Sequence, residues 1–231
     1  MLVSLATLAG LIIATLYVTS NADAPAPPEN AEASYVSAAE IIEYGQPDRL
    51  SLQSSVALVM DDREGVMLYG RNIERARPIA SLTKLMTALV ILESGLPLDE
   101  QIKITRDDRD RLRGTKSRLS FEAVFTRHDL LLAALGASDN RAASALARNY
   151  PGGSTAFVAA MNAKAQALDM TGTRFADASG LAPGNVSTAR DLLKLLEAAR
   201  REPLQRNGLG NHDQLAGLRR KAPGKLAALG L

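Results

Sequence analysis

Apolar positions divide the chain into short elements, and the most regular of them lies about a third of the way along. Over residues 78–95, Leu82, Leu85, Met86, Leu89 and Leu92 recur at helical spacing. This predicts one helix, entered at Pro78 and stopped by Gly95 and Pro97, with Ser81 in its first turn. Ahead of it, the runs 55–61 and 66–70 flank the turn-forming Asp62-Arg63-Glu64-Gly65 and predict a β-hairpin. Behind it, Ile102-Lys103-Ile104-Thr105 reads as a short strand. Thr105-Arg106-Asp107-Asp108 and Thr126-Arg127-His128-Asp129 both have capping-box spacing, in which a hydroxyl and an acidic side chain satisfy each other's backbone amides. The second box opens a helix through Leu130–Leu135 that ends at Gly136. Further helices are predicted over 141–148, over 155–168 beyond the break at Pro151-Gly152-Gly153, and from Thr188-Ala189-Arg190-Asp191 to Arg200, with a loop over 177–184.

Two N-terminal segments lack this pattern. Residues 25–54 are rich in Pro, Ala, Glu and Ser and read as a linker. Leu2–Val18 is a 17-residue apolar run broken only by Ser4, Thr7 and Thr15, followed by the small-x-small Ala22-Asp23-Ala24. Residues 1–24 therefore read as a signal peptide, although no Lys or Arg precedes Arg49 to form a basic n-region. The run is short for a membrane span of about 20 residues. The expected location is periplasmic or secreted, with residues 2–18 as the point of any attachment to the inner membrane.

Composition narrows the chemistry. Of 231 residues 46% are hydrophobic and 23% charged, which suits a soluble domain with a substantial core. Cysteine is absent, and with it disulfides, thiolate nucleophiles and cysteine metal sites. A pI near 9.0 raises the question of nucleic acid. The positive charge, however, lies at the end: residues 200–231 hold seven basic and two acidic residues, whereas residues 1–199 hold 20 basic and 23 acidic. The basic balance belongs to a tail, which argues against nucleic-acid binding by the folded body.

The candidate chemistry starts at Ser81 and Lys84, which a helix would place on one face. A serine hydroxyl needs a base, and a lysine amine serves as one once burial has lowered its pKa. The free amides of a helix N-terminus would favour a developing oxyanion nearby. A Ser-His-Asp arrangement would have to use His128 or His212, and neither lies in a nucleophile-elbow setting. Ser138-Asp139-Asn140, alone, would be a cap or turn between two helices. Together with Ser81 and Lys84 it supplies two of the three elements, in order, of the Ser-x-x-Lys, Ser-Asp-Asn and Lys-Thr-Gly signature of class A β-lactamases and penicillin-binding proteins.

From Ser55 to Pro203 the chain resembles the low-molecular-mass penicillin-binding proteins, the bacterial D-alanyl-D-alanine carboxypeptidases and endopeptidases. The resemblance rests on Pro78-Ile79-Ala80-Ser81-Leu82-Thr83-Lys84-Leu85-Met86-Thr87-Ala88, Ser138-Asp139-Asn140-Arg141-Ala142-Ala143, Tyr150-Pro151-Gly152-Gly153, Met161-Asn162-Ala163-Lys164-Ala165, Ser179-Gly180-Leu181 and Ala189-Arg190-Asp191-Leu192. It implies an α+β, β-lactamase/transpeptidase-like fold, with a helical region packed on an antiparallel sheet and the active site between them. It also implies Ser81 as acylated nucleophile, Lys84 as its base, Ser138 as proton relay to the leaving group and Asn140 as holder of the substrate amide. Peptidoglycan stem peptide would be the substrate and β-lactams covalent inhibitors, with no metal or cofactor. A class A β-lactamase would need a Glu-x-x-x-Asn loop, and Glu202-Pro203-Leu204-Gln205-Arg206-Asn207 is one residue too long for it.

The third signature element is not found. No Lys-Thr-Gly follows Asn140; Lys221-Ala222-Pro223-Gly224-Lys225 has a proline where a ladder donor is needed. After Val186 the chain has no Val, Ile, Phe, Tyr or Trp, the residues from which strands are usually built. The expectation is a transpeptidase-like domain over 55–203 with its sheet incomplete at the C-terminus, then a divergent basic tail over 204–231, as a frameshift or truncation would leave. The alternative to a working peptidase is a catalytically impaired fragment or a non-catalytic binder of cell-wall peptide.

Overall fold

The structure is a computed structural model that describes residues 52–61 and 64–201, together with Ala39 and Ile42, both in helical backbone. The proposed signal peptide, most of the linker, His212, the Glu202–Asn207 segment and the basic tail lie outside the described residues. The chain divides into two compact units, residues 1–73 and 74–231.

The first unit contains the expected hairpin. Strands β1 (Ala57–Asp61) and β2 (Val66–Arg71) pair antiparallel, with Val59 opposite Tyr69 and a register shift before Met60, which lies opposite Met67. Arg71 secures the strand entry by donating from Nη1 to the carbonyls of Leu52 and Ser54, at 3.0 and 3.2 Å. Asn72 Nδ2 donates to Ser55 O at 2.7 Å.

The second unit is helical around one central element. After β3 (Arg77–Pro78) and a 3-10 turn at Ala80–Leu82 comes α1 (Thr83–Glu93). Then follow β4 (Gln101–Lys103), a second 3-10 turn at Arg106–Asp108, β5 (Val124–Thr126), α2 (Arg127–Gly136), α3 (Asn140–Arg148), α4 (Gly153–Ala167), β6 (Val186–Ser187) and α5 (Ala189–Arg201). Helix α1 touches each of the other four helices. This explains its composition, since a helix buried on all sides has no polar face to spare. Met86, Ala88, Leu89, Val90 and Ile91 are all buried there. Around them pack Leu130 and Leu131 of α2, Leu146 of α3, Phe157 and Met161 of α4, Phe175, and Leu195 of α5. Helix α3 fits closely because its buried positions are mostly alanine, at 142, 143, 145 and 147. Tyr150 meets Phe157 edge-on, with ring centroids 5.1 Å apart.

Both capping boxes form: Thr105 with Asp108, and Thr126 with Asp129. Thr188 Oγ1 accepts from the Asp191 amide at 3.0 Å and opens α5 as expected. The expected antiparallel sheet appears among the described residues as three two-stranded pieces, β1-β2, β3-β6 and β4-β5. The entry to α1 differs from expectation. The helix does not run from Pro78: Pro78 pairs with Val186 in β3-β6, Ala80 takes a left-handed φ of 45°, and Ser81 lies in the 3-10 turn before the α-helix. A short i+3 hydrogen-bonded turn keeps nearly the same direction of apolar side chains, so periodicity alone could not separate the two.

Candidate active site

Three of the four expected site residues meet at one point. Lys84 Nζ donates to Ser81 Oγ at 3.1 Å, and Ser138 Oγ donates to the same oxygen at 2.9 Å. Ser81 and Ser138 are exposed, whereas Lys84 is 2% exposed, so a reachable hydroxyl sits against a buried amine. Asn140, in the first turn of α3, faces a neighbouring loop: its Nδ2 donates to Thr115 Oγ1 at 3.0 Å.

Each of these side chains is placed by a specific backbone device. Ser138 has a left-handed φ of 52° in the turn between α2 and α3. Asp139 beside it is the N-cap of α3, accepting from the Ala142 amide at 3.0 Å, while its two carboxylate oxygens accept from Ser117 Oγ at 3.0 and 2.8 Å. The turn carrying Ser81 is held by the Leu82 amide on Ile79 O at 3.1 Å. The Ser81 amide makes no such bond among the described residues.

A loop that follows α4 completes the site. Lys84 Nζ donates to Ser179 O at 2.7 Å, and Thr87 Oγ1, one turn further along α1, donates to Ala178 O at 2.7 Å. Asp177 shapes this loop. Its carboxylate accepts from the amides of Ser179, Gly180 and Ala182 at 2.7, 2.6 and 2.6 Å, and from Ser179 Oγ at 3.2 Å. Buried Asn185 ties the loop's far side, accepting from the Ala176 amide at 3.0 Å and donating to Ala182 O at 3.0 Å. At Gly180, with φ 86°, a Cβ would stand 1.9 Å from Ala80 O. Only glycine lets the two backbones approach this closely. The Ile79 amide also donates to Asn185 O at 3.1 Å, so this loop braces the turn that presents Ser81.

The electrostatics follow from that enclosure. Burial lowers the Lys84 pKa from 10.5 to about 8, against the opposing pull of the Asp177 and Asp139 carboxylates. An ammonium stripped of water favours losing its proton, and nearby negative charge resists the loss. With Ser179 O taking one N–H, the neutral amine keeps a lone pair for the Ser81 hydroxyl. That is what activation of a serine by lysine requires.

Nothing in the sequence alone marks Asp139, Asp177, Gly180 or Asn185 as parts of the site. In the sequence, Ser179-Gly180-Leu181 carries only the family resemblance and the turn composition of Asp177 three residues before a glycine. The described residues contain no group of three or more His, Cys, Asp or Glu side chains able to hold a metal.

Comparison with known proteins shows the family and the fold. Residues 43–216 match the peptidase family described as D-alanyl-D-alanine carboxypeptidase. The D-alanyl-D-alanine endopeptidase of Pseudomonas aeruginosa is 51% identical over 172 residues, covering 74% of this chain and 56% of that protein. Its Escherichia coli namesake is 46% identical over 153 residues, covering 66% of this chain and 49% of its own. The chain thus spans about half the length of these curated relatives. Among solved structures, the D-alanyl-D-alanine carboxypeptidase DacD of Francisella tularensis superposes with a TM-score of 0.64 at 28% identity, over 71% of this chain and 41% of that one. A Streptomyces DD-transpeptidase superposes with a TM-score of 0.61 at 28% identity, over 66% of this chain and 62% of that one. The fold is that of the β-lactamase and transpeptidase group.

Proposed function

Since the chain belongs to the D-alanyl-D-alanine carboxypeptidase family, we propose that it is a serine-type D-alanyl-D-alanine peptidase that opens peptidoglycan peptides through an acyl-enzyme on Ser81. The observation that carries this reading is the shared contact at Ser81 Oγ, within hydrogen-bond reach of both Lys84 Nζ and Ser138 Oγ. Neutral Lys84 takes the hydroxyl proton as Ser81 Oγ attacks the carbonyl carbon of the scissile D-alanyl bond. The C–N bond breaks, and the proton passes through Ser138 to the departing amine. Water then hydrolyses the ester, releasing the shortened peptide and restoring Ser81 and Lys84. The unpaired Ser81 amide is the donor available to the carbonyl oxygen as it gains charge. Asn140 holds the substrate amide by accepting its N–H at Oδ1, while Nδ2 stays on Thr115 Oγ1. The endopeptidase names of the two relatives favour cleavage of a cross-link over removal of a terminal D-alanine.

β-Lactams acylate the same serine in this reading, because they present a strained amide to the same nucleophile. The apolar run at 2–18 supports export to the periplasm, and that segment is where any attachment to the inner membrane would be made. The test is covalent labelling of the full chain by a fluorescent penicillin. Label on the folded chain that disappears in Ser81→Ala is the expected result. A folded, soluble chain without label would favour the second reading, a non-catalytic binder of cell-wall peptide.

A further inference from the structure

Beside the site lies a loop that the chemistry above leaves unused. After the 3-10 turn at Arg106–Asp108 the chain turns around Asp110, whose carboxylate accepts from the amides of Leu112, Arg113 and Thr115 at 2.8, 2.9 and 2.8 Å and from Thr115 Oγ1 at 2.6 Å. Two bonds fasten this loop to the start of α3: Asn140 Nδ2 to Thr115 Oγ1, and Ser117 Oγ to the Asp139 carboxylate. Lys116 therefore sits between two anchored residues, flanked by Arg113 and Arg118. All three are exposed, and their side chains make no ion pair or hydrogen bond among the described residues. The anchors on α3 are the two residues that follow Ser138, whose hydroxyl touches Ser81. One border of the reactive serine is thus lined with unpaired cations, in a body where residues 1–199 carry more acidic than basic groups.

We propose that this loop is a docking surface for an acidic peptide, in which Arg113, Lys116 and Arg118 take free carboxylates of the strand whose scissile amide Asn140 holds. The inference rests on the peptidase reading and adds a determinant of substrate choice. Guanidinium forks match carboxylates in a planar, two-bond geometry, and lysine adds a mobile point charge. Cross-linked stem peptides carry several free carboxylates, so the charges are complementary. Nucleic acid fits poorly, since residues 109–118 contain no aromatic side chain on which a base could stack. Exposed ion pairs are individually weak, so three cations acting together are expected to shift affinity by about tenfold.

The test measures binding rather than turnover. A fluorescein-labelled, cross-linked stem-peptide dimer is titrated with the full chain carrying Ser81→Ala, so that bound peptide is not consumed. The same dimer with its carboxylates amidated is the comparison. The free-carboxylate dimer should bind about tenfold more tightly in low salt, the preference should shrink as salt is added, and Arg113→Gln with Lys116→Gln and Arg118→Gln should abolish it. Equal binding of the two dimers by the unsubstituted loop would overturn the proposal. So would a triple variant that keeps the preference, or one that weakens both dimers equally, which would mean that the loop only supports the fold. Binding to vesicles of anionic phospholipid that depends on the three cations, while the peptide preference does not, would assign the surface to a membrane instead. Penicillin labelling of the chain with Ser81 intact reports separately on the peptidase reading: label without a carboxylate preference removes this inference alone, and absence of label leaves the binding result standing.

Discussion

On the proposed reading Lys84 acts as a base while enclosed by protein, and its surroundings set the pH at which it can act. Its neutral fraction grows as pH rises through about 8. Acylation of Ser81 by a β-lactam should therefore quicken by about tenfold between about pH 7 and about pH 9 and then level off, in stopped-flow or gel-based rate measurements. The same shift bears on stability. The folded pKa lies below the ordinary 10.5, so over the window from about 8 to 10.5 the unfolded chain binds more protons. Stability contributed by this group is fully present above that window and is lost as pH falls through about 8. Asp177 raises the Lys84 pKa by its charge and also holds the Ser179 carbonyl on the amine. Asp177→Asn should move the midpoint of the acylation profile to lower pH. A profile reduced in height with its midpoint unchanged would show that only the loop's shape had mattered. Ser81 and Lys84 could be paired from their spacing, while Ser138 and Asn140 entered only through the family resemblance. Asp177 could not, because its relation to Lys84 passes through a carbonyl 95 residues away in sequence and no local pattern records it.

Among elements, the joints mattered more than the rods. Helices α2 to α5 could be read to within a few residues, because capping threonines and the glycine break after Tyr150 mark their ends chemically. The start of α1 could not, since the left-handed Ala80 and the pairing of Pro78 with Val186 depend on a partner segment far along the chain. That dependence makes Gly180 the most sensitive joint. Gly180→Ala would drive a Cβ into the Ala80 carbonyl, at a cost of about 3 kcal/mol or more, and should remove both penicillin label and part of the thermal stability. Asp139→Ala removes the α3 cap and the Ser117 tether together, for an expected loss of about 1–2 kcal/mol in denaturant titration.

At the scale of the whole molecule, the helical unit hangs on α1 and is stitched by ion pairs with a buried member, Arg127 with Glu100 and Arg148 with Asp108 among them. Asp108 is 1% exposed and receives Arg148 through two bonds, Nε to Oδ1 at 2.8 Å and Nη2 to Oδ2 at 2.9 Å, joining the turn after β4 to the end of α3. Arg148→Ala would leave that carboxylate with only its capping contacts to Thr105 and should cost about 1–3 kcal/mol, read as a fall in melting temperature. The close passage of Gly180 over Ala80 carries a last consequence, which concerns time. Lys84, beside the nucleophile, and the Ser179 carbonyl of the loop that braces it are separated by 95 residues of helix, strand and loop, so neither half of the site can hold its shape before the intervening chain has folded and brought the other. A refolding chain would pass through states with much of its helix formed and no assembled site around Ser81. Capture of penicillin would then be among the last properties acquired, and the rate at which label appears would clock the closing of the fold.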